Sequence, residues 1–195
     1  MTNKIECLTD LAGKIKNPDL RKKVVDLLKN PKPSNKNFTQ GVTLQDAPAS
    51  ESWHHTDKGG LIIHIESVTK MCIAVAEVFE KQYNLKLDMD TLVASALCHD
   101  IMKTSEMEDI GEVSVMKAPM YLDHLTLGIA ELYSRGFPAK VVHLIAAHHG
   151  EGGPVAPSET EAVILHFVDS IDSYANTEKS AGVQLGRPPR GGIEW

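Results

Sequence analysis

Apolar side chains recur every three or four residues along much of the chain, which is the spacing of a helix that buries one of its faces. Near the N-terminus this spacing predicts two helices, at 3–17 and 19–29, separated by Pro18. A Pro-Lys-Pro sequence beginning at Pro31 stops the second helix. Residues 30–60 are rich in Pro, Ser, Asn and Gly, so we predict a long loop there.

A stronger helical pattern begins at Gly60 and continues through most of the remaining sequence. Pro138 at its start and Gly150 at its end delimit one of these helices, because proline favours the start of a helix and glycine its end. Ser158 precedes Glu161 with the spacing of a capping box and opens another. No alternation typical of β-strands is apparent, so the sequence predicts an all-α helical bundle with an N-terminal helical appendage. The five helices are predicted at about 60–79, 92–101, 124–135, 138–150 and 158–175.

The formal net charge of −6 is unevenly distributed along the sequence. Lys and Arg outnumber Asp and Glu in residues 1–40, whereas the remainder of the chain is acidic. An acidic body disfavours binding of a long nucleic acid, since that affinity comes largely from basic side chains on phosphates. The basic N-terminal segment is compatible with RNA or an acidic partner, although a solvated pair of helices explains it more simply.

The sequence predicts a cytoplasmic protein. No apolar run approaches the ~20 residues that a membrane helix needs, and the N-terminus lacks the apolar core of a secretory signal. Cys7, Cys72 and Cys98 form no C-x-x-C pair, and the last two lie among apolar residues, as buried thiols do. A reducing compartment is the simplest setting for such cysteines.

Metal-ligand types of side chain occur in or at the ends of all five predicted helices. A single histidine on an apolar helix face is usually a buried core residue, so none of the nine histidines is informative alone. Their order with two aspartates is informative, because imidazole and carboxylate together favour Fe, Mn, Zn or Co over Ca or Mg. The candidate ligands are His64, His99, Asp100, His124, His148, His149 and Asp169.

Five ordered sequence blocks contain these residues: W-H-H-T-D-K-G-G-L-I-I-H (53–64), A-L-C-H-D-I-M-K (96–103), D-H-L-T-L-G (123–128), H-L-I-A-A-H-H-G (143–150) and E-A-V-I-L-H-F-V-D-S-I-D (161–172). Over roughly residues 48–175 the chain resembles the HD superfamily of metal-dependent phosphohydrolases. The closer resemblance is to the HD domain of YhaM-type 3′–5′ exoribonucleases. Two departures are Met102, where such motifs usually have glycine, and the lack of room for the OB-type domain that those exoribonucleases carry.

The resemblance implies a division of the chain and a set of metal ligands. An HD-domain helical bundle spans 46–178, preceded by an N-terminal helical appendage and linker (1–45) and followed by a C-terminal tail (179–195). The implied site holds two metal ions. One ion is bound by His64, His99 and Asp169, the other by His124, His148 and His149, and Asp100 bridges them.

Two divalent transition metals are therefore the expected cofactors, with Fe(II) or Mn(II) favoured and Zn, Co or Ni as alternatives. Two such ions and two carboxylates leave a surplus of two positive charges. A bridging hydroxide removes one and an anionic phosphoester removes the other, so the site favours phosphate chemistry. Two-metal catalysis then implies a metal-activated hydroxide that attacks the phosphoryl group.

Several further residues are candidates for contact with the substrate. Lys103, one helical turn past the His-Asp pair, is expected to neutralise charge that develops on the phosphoryl group. His54 and His55 are candidates for binding the phosphate or protonating a leaving alkoxide. Arg187 and Arg190 in the tail are candidates to close over an anionic substrate. The alternatives are a solvated lysine, loop histidines without such a role, and a disordered tail.

Other residues are candidates for orienting the metal ligands through hydrogen bonds. His143 and His166 fall on the helical faces that carry His149 and Asp169. Asp172 follows Asp169 by about one helical turn, so it is a candidate for the same role or for a solvated cap.

The predicted function is that of a phosphodiesterase or phosphohydrolase acting on a small nucleotide-like or cyclic phosphoester, such as the 2′,3′-cyclic phosphate of a nucleotide or pterin. One alternative is a 3′–5′ exoribonuclease that uses the basic N-terminal helices in place of the missing OB-type domain. An alternative of another class is a non-catalytic nucleotide-binding HD module. Such a module would lack a metal ligand, whereas all seven positions are filled. The oligomeric state stays open.

Overall fold

Helices form most of the protein, which confirms the all-α class. The computed structural model describes residues 4–111, 114–117 and 121–181. None of the helices in these ranges is both long and apolar enough to cross a membrane. The elements are α1 (Lys4–Ala12), α2 (Pro18–Lys29), α3 (Gly60–Tyr83), α4 (Met89–Cys98), α5 (Lys103–Glu106), β1 (Met107–Asp109), β2 (Ser114–Met116), α6 (His124–Ser134), α7 (Ala139–Ala147), a 3-10 turn (Gly150–Gly152) and α8 (Thr160–Ala181).

Aspartate caps fix the starts of two helices that lead to the candidate site. The Asp88 side chain accepts the backbone N–H of Thr91 at 3.1 Å and begins α4. The Asp123 side chain accepts the backbone N–H of Thr126 at 2.7 Å and begins α6. Such caps satisfy N–H groups that have no partner within the helix. The Asp123 cap also fixes the position of His124, which is the first residue of α6.

The central helix of the bundle is α4. It packs against α1, α2, α3, α7 and α8, and every residue from Thr91 to Cys98 is buried. A helix that is apolar around its whole circumference is stable only where other elements cover it. Because α4 ends at Cys98, the following turn places His99 and Asp100 inside the bundle, where both are buried.

The N-terminal helices α1 and α2 pack into the same core as α3 and α4. Leu8 and Leu27 are fully buried in a cluster that also contains Leu61 and Leu97. The carboxylate of Asp90 accepts two backbone N–H groups, of residues 16 and 17, at 2.7 and 2.8 Å, and ties the turn between α1 and α2 to α4. The proposed division of the chain after residues 45 and 178 stays a prediction.

A small antiparallel hairpin follows α5 and was not predicted from the sequence. Met107 in β1 pairs with Met116 in β2, and Asp109 pairs with Ser114. Each strand has three residues, too few for an alternating pattern to be recognised. The carbonyl oxygen of Thr104 accepts the backbone N–H groups of residues 41 and 42, which links the loop after α2 to α5, the helix that precedes this hairpin.

Candidate metal centre

The fold brings all seven candidate ligands together in two adjacent groups. In each group the ligand atoms lie within 4.8 Å of one another. His64 comes from α3, the His-Asp pair from the turn after α4, and Asp169 from α8. The start of α6 and the turn after α7 supply the rest. One group is His64, His99 and Asp169; the other is Asp100, His124, His148 and His149.

Asp100 lies between the two groups and directs one carboxylate oxygen to each. Its Oδ2 lies 3.3 Å from Nε2 of His64 and 3.5 Å from Nε2 of His99. Its Oδ1 lies 3.3 Å from Nε2 of His124 and 3.6 Å from Nε2 of His148. This geometry is the one expected of a carboxylate shared by two cations.

Two of the histidines are oriented by backbone carbonyl groups at helix ends. Nδ1 of His99 lies 2.9 Å from the carbonyl oxygen of Ala96, and Nδ1 of His148 lies 2.7 Å from that of Ile145. A carbonyl oxygen only accepts, so each Nδ1 must carry the proton. In the neutral ring Nε2 then holds a lone pair, and this lone pair is directed towards Asp100.

Two other histidines are oriented by carboxylates. Nδ1 of His64 donates to Oδ2 of Asp172 at 2.8 Å, so Asp172 lies where the sequence analysis expected an orienting residue. Nδ1 of His124 donates to Oε2 of Glu106 at 2.9 Å, and Oε1 of Glu106 accepts the backbone N–H of His124 at 2.6 Å. Sequence reasoning missed Glu106. Its one signal was a carboxylate one turn after Lys103.

Three buried atoms at the centre have no hydrogen-bond partner in the part of the chain that the structure describes. They are Oδ1 of Asp100, Nε2 of His124 and Nε2 of His148. Leaving a buried polar atom without a partner costs about 1–3 kcal/mol, so three such atoms facing one another require an explanation. A divalent cation bound by all three would satisfy them, and imidazole nitrogen with carboxylate oxygen suits a transition metal.

Burial keeps three histidines at the centre, His54, His99 and His149, neutral at ordinary pH. It lowers the pKa of His99 to about 4, although Asp100 and Asp169 act in the opposite direction. It also lowers the pKa of His54 to about 3, and the positive charge of Lys103 contributes to the same shift. Because metals bind the neutral ring, His99 is ready to act as a ligand near neutral pH.

His64 is the position that most favours a positive charge. Burial opposes its protonation, but hydrogen bonds with Asp100, Asp169 and Asp172 raise its pKa well above the usual value. Burial raises the pKa of Asp169, but the hydrogen bond with His64 and the charges of His99 and His64 together lower it below its usual value, so this carboxyl stays ionised. The carboxylates thus favour a proton or a metal ion here.

A cavity of about 550 Å³ opens onto His124, His148, His149 and Asp169. Lys103 is almost fully buried in its wall, with Nζ 2.7 Å from Oδ2 of Asp100. Burial raises the pKa of Asp100, but the charge of Lys103 lowers it and the net shift is well below the usual value. The cavity is lined by 49–54, Lys103, Glu106, Met107, Met116, Asp123, His124, His148, His149, Gly152, His166, Asp169, Ser170 and Ser173.

His54 and His55 are buried next to His64, and the three form another group of closely spaced ligand atoms. Nδ1 of His54 lies 3.1 Å from Nδ1 of His55, and Nε2 of His54 lies 3.3 Å from the hydroxyl of Ser173. Nε2 of His55 lies 3.6 Å from Oδ2 of Asp172. Of the two histidines, His54 lines the cavity.

The remaining candidates have different surroundings. His166 lines the cavity, and its Nδ1 donates to the carbonyl oxygen of His148 at 2.7 Å. His143 instead contacts Ser158 before α8, with Nε2 3.0 Å from the hydroxyl oxygen, so the structure does not bring it to the two groups. Arg187 and Arg190 lie outside the described residues.

Comparisons with known proteins agree with the geometry. The family model of the HD domain matches residues 61–174. A dihydroneopterin 2′,3′-cyclic phosphate phosphodiesterase of Methanocaldococcus jannaschii is 43% identical over 174 residues, which cover 88% of this chain and 70% of that protein. The 3′–5′ exoribonuclease YhaM of Bacillus subtilis is 26% identical over 183 residues, 88% of this chain but 54% of the exoribonuclease. Comparison with solved structures gave no significant match.

Proposed function

The chain belongs to the HD-domain family, and on this basis we propose that it is a metal-dependent phosphodiesterase. Its substrate is a small nucleotide-like or cyclic phosphoester, such as the 2′,3′-cyclic phosphate of a nucleotide or pterin. The observation that supports this most directly is Asp100, buried between two groups of ligand atoms with one oxygen facing each. The similarity to a cyclic phosphate phosphodiesterase supports the substrate class.

In the proposed site, His64, His99 and Asp169 hold one metal and His124, His148 and His149 hold the other, with Asp100 shared. The unpartnered atoms of Asp100, His124 and His148 support this assignment. When bound, the pair of metals supplies Lewis acidity and a water molecule of lowered pKa. Fe(II) or Mn(II) suits the mixed nitrogen and oxygen ligands, with Zn, Co or Ni as alternatives.

The side chains around the cavity supply substrate binding in this proposal. Lys103 places a positive charge beside Asp100, where it attracts an anionic ester and stabilises charge that develops on the phosphoryl oxygens. His54 lines the same cavity as a neutral imidazole, with Nε2 3.3 Å from the hydroxyl of Ser173, so it is placed to bind the phosphoester through a hydrogen bond. Asp172 and Glu106 keep His64 and His124 in their ligand orientation.

A 3′–5′ exoribonuclease is the second candidate, because the YhaM proteins are similar over most of this chain. The chain spans about half the length of those relatives, and its acidic body is unfavourable for a long polyanion. The two candidates differ in salt dependence. Turnover of a short RNA by an exoribonuclease falls steeply with salt, since displaced counterions drive binding, whereas turnover of a small cyclic ester does not.

The test is metal analysis of the purified protein, followed by assays on guanosine and uridine 2′,3′-cyclic phosphates, dihydroneopterin 2′,3′-cyclic phosphate and a labelled RNA. We expect about two transition-metal ions per chain and hydrolysis of at least one cyclic ester. A metal-loaded protein that hydrolyses RNA alone would support the second candidate. A protein that binds nucleotide and metal but hydrolyses no ester would support a regulatory HD module and overturn the proposal.

A further inference from the structure

We propose that Trp53 and Glu51 form a subsite that recognises a flat heterocycle with a 2-amino-4-oxo edge, the edge shared by pterins and guanine. The inference rests on the proposed function, since it assigns the part of the substrate that lies beyond the phosphoester. It concerns the cavity wall formed by residues 49–53, which none of the metal-ligand arguments uses.

Trp53 is an aromatic surface at the mouth of the cavity. It lines the cavity, and 47% of the residue is exposed. Its ring contacts the His54 ring edge-on, with centroids 5.1 Å apart, and the His54 centroid lies 4.8 Å from that of His64. The indole is therefore two ring contacts from the metal centre, and stacking on a heterocycle would cover its exposed surface.

The segment that carries Trp53 is held by hydrogen bonds at several points. The hydroxyl of Ser50 accepts the backbone N–H of Trp53 at 3.0 Å. Thr177 in α8 donates to the carbonyl oxygen of Trp53 at 3.3 Å. The side chain of Asn176 accepts the backbone N–H of His55 at 2.6 Å. A segment that is already ordered loses less conformational entropy when a ligand binds. These contacts therefore favour recognition by this segment.

Among the carboxylates that line the cavity, Glu51 is the one that no other group of the described residues engages. Glu106 is bound to His124, Asp123 caps α6, and Asp169 belongs to the metal centre. The side chain of Glu51 is exposed and makes no hydrogen bond or ion pair within residues 4–111, 114–117 and 121–181. It lies two residues from Trp53 on the same wall.

The chemistry of a carboxylate selects the heterocycle. Guanine and pterin each present a ring N–H beside a 2-amino group, and a carboxylate accepts both hydrogens in parallel. Adenine lacks that ring N–H, and uracil lacks the amino group. Glu51 would therefore favour the 2-amino-4-oxo ring, while Trp53 would stack on any flat base.

The first experiment measures kcat/KM for the 2′,3′-cyclic phosphates of guanosine and uridine and for glycerol 1,2-cyclic phosphate, which has no ring. Trp53→Ala should lower the ratio of guanosine to glycerol ester by about tenfold or more, as expected from loss of base stacking. Glu51→Gln should lower the ratio of guanosine to uridine ester by about tenfold, as expected from loss of a paired acceptor. Tyr133→Ala removes an exposed aromatic residue of α6 and serves as the matched control.

The second experiment does not depend on turnover. The chain has two tryptophans, Trp53 and Trp195, so Trp195→Phe leaves Trp53 as the fluorescent reporter. Guanosine 3′-monophosphate should quench this fluorescence in the metal-loaded protein, and inorganic phosphate should not. Unchanged selectivity in Trp53→Ala together with unquenched fluorescence would overturn the subsite while leaving the phosphodiesterase intact. Quenching without hydrolysis of any ester would instead contradict the proposed function alone.

Discussion

Among single residues, Asp100 contributes to more of the candidate centre than any other, because its two oxygens face different histidine groups. Asp100→Asn keeps the shape of the side chain but removes its charge. We expect turnover to fall on the order of 10³-fold, since both proposed ions lose a shared anion. The measurement is steady-state kinetics together with metal content per chain.

The control for Asp100 is Asp109→Asn, which removes an aspartate of the hairpin that pairs at the surface with Lys58 at 3.0 Å. Exposed ion pairs contribute little to stability, so this variant should keep its metal and its turnover. An Asp100→Asn protein with the activity of the parent protein would contradict the shared-ligand assignment.

Glu106 provides a second prediction at this scale. Glu106→Gln leaves an amide where His124 has a carboxylate partner, so the orientation and basicity of the imidazole change. Loss of such a partner typically weakens metal affinity or activity about 10–100-fold. A competition assay with a metal indicator measures the affinity. Glu108→Gln, two residues further on in β1, is the matched control, and equal affinities of the two variants would exclude a role for Glu106.

The site residues show what could be predicted from the sequence. The seven candidate ligands stand in ordered blocks of sequence, and the structure brings all of them together. Glu106 could not be found in this way, because its contact with His124 depends on how α5 packs against α6. The sequence made both His143 and Asp172 candidates for orienting a metal ligand. In the fold, His143 contacts Ser158, whereas Asp172 contacts His64.

At the scale of elements, the ends of helices position the candidate metal ligands. The last carbonyl groups of a helix have no partner within it, and in α4 and α7 such carbonyls accept the Nδ1–H of His99 and His148. The turn after α7 requires a glycine as well. Gly150 has φ +57°, and a Cβ at this position would lie 2.5 Å from Cε1 of His166.

Gly150→Ala should therefore be destabilising for two reasons, the left-handed backbone and the clash with His166. The left-handed conformation alone costs about 1–2 kcal/mol for alanine, and the displaced imidazole should add to this. Urea denaturation gives the stability, and kinetic assays give the effect on turnover. The expected result is a larger loss than in the control, accompanied by lower activity.

Gly136→Ala is the matched control for the strained turn. Gly136 also has a positive φ, +65°, but the atom nearest to an added Cβ is the flexible Nζ of Lys23 at 3.2 Å. It lies in the turn between α6 and α7, away from the ligands. Equal effects of the two substitutions would show that His166 has no part in supporting the turn.

The order of the helices followed from periodicity, and α3, α4, α6, α7 and α8 lie close to the predicted positions. The boundary of α4 was placed less well. The apolar pattern continued to Ile101, yet the helix ends at Cys98, because His99 and Asp100 turn towards the centre. The hairpin escaped prediction since its pairing depends on contacts between strands of three residues.

For the molecule as a whole, Glu131 joins the N-terminal part of the chain to the bundle. Its carboxylate accepts the backbone N–H and the hydroxyl of Ser34, at 2.8 and 2.7 Å, and pairs with Arg135 at 2.6 Å. Burial raises the pKa of Glu131, but the contacts with Ser34 and Arg135 lower it, and the net shift is downward. The folded state thus favours the ionised form.

A folded-state pKa below the unfolded value adds stability above the unfolded pKa, and this contribution is lost as the pH falls through the folded pKa. Glu131→Gln should therefore reduce the free energy of unfolding near neutral pH by about 1.5–3 kcal/mol. The difference from the parent should shrink as the pH falls below about 4.3, the usual glutamate value. Urea denaturation across this range tests both expectations, and Glu77→Gln on the exposed face of α3 is the control. A difference that stayed constant with pH would contradict the linkage.

Packing of the whole molecule was the least predictable feature. Periodicity identifies the apolar face of α1 and α2 but not the surface that covers it, and both helices enter the core beside α3 and α4. The residues that settle this packing, such as Asp90 with the backbone at 16 and 17, act across more than seventy positions of sequence.

The central position of α4 has a consequence for unfolding. The turn that follows it carries two candidate ligands that meet side chains from α3, α6, α7 and α8, so bound cations would act as cross-links among segments far apart in the chain. Ligation would then strengthen the cooperativity of the entire bundle rather than of one local loop. A chelator should lower the melting temperature of the protein as a whole, in a single transition, and restored cations should reverse the change.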